Sequence, residues 1–100
     1  HYIRLNRTFI NMEVDTSNVP SGEIDRIEVY GTTAIGIDSL GTALLWGAVN
    51  DYFFDMSLDE YTSPTVIPSL ISTTVKDLSI SENGVVFIAT NGSVFVSGKT

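Results

Sequence analysis

The sequence predicts an all-β chain in which one structural unit occurs twice. Three observations carry that reading. "GTALLWG" at residues 41–47 and "GSVFVSG" at residues 92–98 share a layout, a glycine at either end of an apolar run, at an offset of 51 residues. The offset holds without a gap over residues 24–47 and 75–98: Ile24 falls on Val75, Ile27 on Leu78, Val29 on Ile80, Ile35 on Val86, Ile37 on Ile88 and Leu44 on Phe95. The apolar runs are too short for typical helices, rich in β-branched residues and separated by turn residues. A fixed period near 50 residues is the signature of a repeat architecture, with solenoids and propellers the leading forms.

Residues 1–18 read as the end of a preceding unit or a linker. Residues 19–70 form the first repeat, and residues 71–100 form a second, incomplete one. In the first, "IEV", "AIGI" and "ALLW" are three short antiparallel strands, with a turn at "DSLG". In the second, Val75, Leu78 and Ile80 open a strand, "VVFIA" at 85–89 is the next, and "VFV" returns after "TNGS". Asn91-Gly92 marks that return as a tight hairpin, because a type I′ turn needs positive φ at both central residues. Ile35, Ile37, Leu44, Val86, Ile88 and Phe95 are the expected core, in equivalent places in the two units. "VPS" at 19–21 resembles "IPS" at 67–69, with a spacer of different length. Pro64 and Pro68 cannot donate to a ladder and mark an extended or looped link between the units. Residues 51–60 have room for a turn or two of helix. A small β-sandwich of about this length is the alternative fold.

The second unit, "VKDLSISENGVVFIATNGSVFVSG", resembles the RCC1 (regulator of chromosome condensation) repeat, whose pattern runs "V-K-x-V-x-x-G-x-x-H-T-x-A-L-T-x-D-G-x-V-Y-x-W-G". The first unit supplies the terminal Trp46-Gly47, then "NDY" at 50–52 and "SPTVIPSL" at 63–70. The resemblance covers residues 24–98. It departs from the pattern at the central glycine, replaced by Tyr30 and Ser81, and at the histidine, replaced by Thr33 and Gly84. The second tryptophan position holds Ser97, and "YFFDM" stands where the family has "YGQLG". The resemblance implies about two blades of a β-propeller, which in that family has seven. Seven such units exceed 100 residues, so the expectation is a segment of a longer protein that packs against further blades or other chains.

Composition narrows the function. Hydrophobic residues make up 43% of the chain and charged residues 17%, which excludes a disordered tail. The absence of cysteine excludes disulfides, thiolate metal sites and cysteine nucleophiles, and fits a cytosolic or nuclear setting. No apolar run reaches the roughly 20 residues that span a bilayer, and no signal-peptide pattern is visible where Arg4 and Arg7 interrupt the N-terminal stretch. A net charge of −7 disfavours nucleic acid and anionic membranes and favours a basic protein surface. His1 is the only histidine, so no Ser-His-Asp set can form, and neither a phosphate loop nor a dinucleotide fingerprint occurs. The chain is expected to be non-catalytic and free of cofactors.

The stretch "NDYFFDMSLDE" concentrates the remaining chemistry. Asp51, Asp55 and Asp59 recur every four residues, without the alternating oxygens and central glycine of a calcium loop. Tyr52, Phe53 and Phe54 form the densest aromatic cluster, and aromatics are enriched at interface hot spots. Tyr52, Phe53, Phe54, Asp55, Asp59 and Glu60 are therefore the candidate partner contact. The rival reading is that the aromatic rings fill the blade and the acids form a solvated loop. Trp46 is read as core. Three functions follow: a protein-interaction scaffold, a guanine-nucleotide exchange factor acting on a small GTPase (the activity the family resemblance implies), or a propeller that inhibits an enzyme by covering its active site.

Overall fold

The computed structural model describes residues 14–49 and 56–98. Among the described residues seven strands run in order: β1 (Ile24–Tyr30), β2 (Thr33–Asp38), β3 (Ala43–Ala48), β4 (Glu60–Val66), β5 (Val75–Ser81), β6 (Gly84–Ala89) and β7 (Val94–Gly98). They form two antiparallel sheets, β1-β2-β3-β4 and β5-β6-β7, and a single 3₁₀ turn, Pro68–Leu70, connects them. The chain is all-β in its described residues, as the short apolar runs require.

The two sheets repeat one register. In the first, Ile27 faces Gly36 and Glu28 faces Ile35; in the second, Leu78 faces Phe87 and Ser79 faces Val86, each pair moved by 51 residues. Both first strands slip register at one place, between Ile24 and Arg26 and between Val75 and Asp77. The next ladder repeats too, Ile35 facing Leu45 and Val86 facing Val96. The turns use the same bonds: Gly41 N–H donates to the Asp38 carbonyl at 2.9 Å and Gly92 N–H to the Ala89 carbonyl at 3.0 Å.

The repeated glycines have identifiable causes. Gly41 and Gly92 end their turns at φ 87° and 90°, in the left-handed region that a side chain disfavours. Gly47 and Gly98 sit where a Cβ would land on a hairpin carbonyl oxygen, that of Thr32 and of Asn83 respectively.

The correspondence reaches further upstream than residue 24. Gly22 N–H donates to the Val19 carbonyl at 2.9 Å and Thr73 N–H to the Leu70 carbonyl at 3.1 Å, so Val19 is the counterpart of Leu70. Both are buried. "VPS" and "IPS" are thus not equivalent in space: Pro68 opens the 3₁₀ turn, whereas Pro20 follows Val19.

Four further expectations need correction. The Asn91-Gly92 turn is not type I′, because Gly92 has positive φ and Asn91 does not; the Asn91 side chain instead accepts from Ser93 N–H at 2.9 Å. The first unit has four strands, not three. Pro64 lies inside β4, an edge strand with an irregular register between the Leu45–Thr65 and Gly47–Tyr61 pairs, where a missing N–H is tolerated. The expected core holds in the first sheet, where Ile35, Ile37 and Leu44 are buried. In the second sheet Val86 and Ile88 are only half-buried and Phe95 is exposed, while Val85, Phe87 and Ala89 are buried.

That asymmetry follows from how the sheets stack. Residues on one face of the first sheet, here called its front, are Ile35, Ile37, Ala43 and Leu45. They pack into one cluster with Leu78, Val85 and Phe87, which belong to the opposite face, or back, of the second sheet. Ile67, Leu70 and Val75 complete that core. The sheets therefore stack front to back, and equivalent residues meet different surroundings. Aromatic volume on the back is also exchanged between strands: the Trp46 ring of β3 lies over Gly36, with a Cβ there 3.1 Å from the ring, whereas β6 supplies Phe87 at the equivalent place and β7 supplies Ser97.

Candidate interaction surfaces

The sequence places its candidate contact on residues 50–61. Tyr52, Phe53, Phe54 and Asp55 lie outside the described residues. Asp59 and Glu60 are described, and both are exposed where the chain enters β4. Backbone pairing fixes them: the Asp59 carbonyl accepts from Val49 N–H at 2.8 Å, and Glu60 sits opposite Ala48. Leu58 beside them is exposed. Tyr61 anchors this corner. Its hydroxyl accepts from Leu58 N–H at 3.0 Å and shares a hydrogen bond with Ser57 Oγ at 3.2 Å, while its ring packs against the core. The Ser57 contact, helped by the backbone, lowers the Tyr61 pKa below the ordinary tyrosine value.

A second feature is the seam between the sheets, where an open cleft of about 290 Å³ is lined by Asp25, Arg26, Asp38, Thr74, Lys76 and others. Asp38 is buried there, yet its carboxylate is committed to structure. Oδ1 accepts from Leu40 N–H at 3.0 Å and Thr42 N–H at 2.7 Å, and Oδ2 accepts from Ser21 N–H at 3.1 Å. It builds the "DSLG" turn, which then docks on the second unit through Val75 N–H donating to the Gly41 carbonyl at 2.8 Å. Arg26 crosses the seam to pair with Asp77, and it donates to the Leu78 carbonyl at 3.2 Å and to Glu28 at 3.0 Å. Glu28 in turn accepts from Ile80 N–H at 3.1 Å. Among the described residues, no three carboxylates, histidines or cysteines converge on a point that could hold a metal.

Two further apolar surfaces are exposed. The front of the second sheet is open, with Val94 59% and Val96 72% exposed. The β1 margin on the back of the first sheet is open as well, with Ile27 50% and Val29 62% exposed. The signal was in the alignment: Val94 and Val96 stand where the first unit has the buried Ala43 and Leu45. Among the described residues no helix is long and apolar enough to cross a membrane. No protein-family model matches the sequence, and no curated protein matches it.

Proposed function

We propose that this chain is a non-catalytic interaction scaffold made of two adjacent blades of an RCC1-like propeller. The observation that carries this reading is the identical register of two sheets at a constant offset, stacked front to back. Rigid sheets that display loops at their edges are suited to recognition. The partner is a protein with a basic surface. The net charge of −7 and the exposed Asp59 and Glu60 beside the exposed Leu58 favour it.

The test uses Asp59→Lys/Glu60→Lys and Phe53→Ser/Phe54→Ser variants in binding assays, with circular dichroism as the folding control. Folded variants that lose a salt-sensitive partner support the reading. Folded variants that keep every partner overturn it. Accelerated nucleotide release from a small GTPase would instead select the exchange-factor reading.

A further inference from the structure

We propose that Asp77, Arg26 and Glu28 form a side-chain cap that closes a strand-addition site on the outer edge of β5, and that the strand which adds there once the cap is removed is β5 of a second copy of this chain. No other protein is involved, so the site stands or falls independently of the interaction reading.

Among the described strands β5 pairs with β6 and with no other. In an antiparallel strand the N–H and C=O of one residue point to the same side, and the side alternates along the chain. Leu78 and Ile80 are the residues whose groups point away from β6, because side chains from β1 reach them. Leu78 N–H donates to Asp77 Oδ1 at 2.8 Å, the Leu78 carbonyl accepts from Arg26 Nη2 at 3.2 Å, and Ile80 N–H donates to Glu28 Oε1 at 3.1 Å. Arg26 also pairs with both Asp77 and Glu28, which ties the three side chains into one group. An arginine donor and a glutamate acceptor, two residues apart on β1, thus stand where the backbone of a neighbouring strand would stand. An open strand edge is a template for another strand, and charged side chains turned onto it are a means of refusing one.

The sequence of β5 fits a copy of itself. A twofold axis through Ser79 sets Leu78 against Ile80 of the copy. Each Ile80 N–H then meets a Leu78 carbonyl, and each Leu78 N–H meets an Ile80 carbonyl. Three of those four kinds of group are the ones the cap now holds. The same register sets Ser79 against Ser79, and it sets the exposed Lys76 against the exposed Glu82 twice, a favourable cross-strand pairing of opposite charges. The equivalent self-pairing of β1 has its axis at Glu28, the counterpart of Ser79. It would set Glu28 against Glu28, and like charges directly opposite are destabilising. Glu28 therefore caps one edge and disfavours self-pairing at the other.

Sedimentation velocity over a concentration series and amide hydrogen exchange test the cap, with circular dichroism as the folding control. The wild type is expected to sediment as a monomer with Ile80 N–H slow to exchange. Glu28→Ala should speed Ile80 exchange at least about tenfold in dilute solution, since it removes a hydrogen bond to a charged acceptor. Glu28→Gln keeps an acceptor oxygen and should leave Ile80 slow. Arg26→Ala/Glu28→Ala should dimerise, with protection at Ile80 returning as the dimer forms. In that background Lys76→Glu should weaken the dimer at least about threefold, because two like-charged pairs replace two opposite ones. Adding Glu82→Lys should restore it. Wild-type Ile80 exchanging as fast as an unpaired amide overturns the proposal, whether or not any variant folds. So does a folded Arg26→Ala/Glu28→Ala chain that stays monomeric at every concentration, or a dimer indifferent to Lys76→Glu.

Discussion

Replacing Gly41 and Gly92 separately by alanine measures how much of a turn's stability belongs to the seam between units. The two glycines end equivalent turns at nearly equal φ, 87° and 90°. Forcing an alanine into that region costs roughly 1–2 kcal/mol at either site. The gain from restricting the unfolded chain is also the same at both. The surroundings differ. Nothing lies within 4 Å of a Cβ at Gly92, whereas a Cβ at Gly41 would be 2.6 Å from Thr74 Cγ2 and 3.1 Å from the Val75 carbonyl oxygen. The backbone oxygen cannot swing aside, since Val75 is held by its own N–H bond to the Gly41 carbonyl. Overpacking of this kind costs about 1–3 kcal/mol, so Gly41→Ala is expected to destabilise by about 1–3 kcal/mol more than Gly92→Ala. The difference corresponds to roughly 4–8 °C in melting temperature per kcal/mol for a domain of this size. Thermal and urea unfolding read it, and Thr74→Ser in the Gly41→Ala background should restore part of the loss by removing Cγ2. Equal losses at both glycines, or no recovery with Thr74→Ser, would refute the packing of the "DSLG" turn on β5.

Three more outcomes are expected. Gly47→Ala and Gly98→Ala should both lower the melting temperature, because the new methyl group meets the Thr32 or Asn83 carbonyl; Gly47→Ala should be the worse, since φ there is also positive at 85°. Phe87→Ala should cost about 3–5 kcal/mol in urea unfolding, and Phe95→Ala clearly less, because Phe87 is buried in the shared core and Phe95 is exposed. Spectrophotometric titration should find Tyr61 ionising below the ordinary tyrosine value and Ser57→Ala moving it back up. The folded pKa is the depressed one, so as pH rises through it the wild type should gain stability relative to Ser57→Ala.

The repeat and its register were legible because strands of period two keep their apolar and glycine positions when duplicated. Gly41, Gly47, Gly92 and Gly98 recur since each answers a backbone requirement that recurs. Burial was not legible from the alignment alone. Ile35 and Val86 are equivalent in sequence and register, but the front of the first sheet has a neighbour and the front of the second has none among the described residues. Equivalence in sequence implies equal burial only where the surroundings repeat too, and a stack of two units leaves its outer surfaces different. The false match of "VPS" with "IPS" arose because proline is prominent locally, whereas the structure aligns the carbonyls of Val19 and Leu70. The seam contacts of Arg26 were hidden for another reason: a residue's partner across 51 positions of chain depends on how the sheets stack, not on local pattern. Of the candidate contact, only Asp59 and Glu60 fall among the described residues, and both are exposed at the start of an edge strand.

The front-to-back stacking of two equivalent sheets is tested most directly by nuclear Overhauser contacts between methyl groups and aromatic rings in the 100-residue chain. Front-to-back packing places the Ile35, Ile37 and Leu45 methyls within reach of the Val85 methyls and the Phe87 ring, and leaves Val94 and Val96 without contacts to them. Contacts from Ile35 or Leu45 to Val94 and Val96 would mean that the sheets meet front to front, as in a sandwich, and would contradict the stacking.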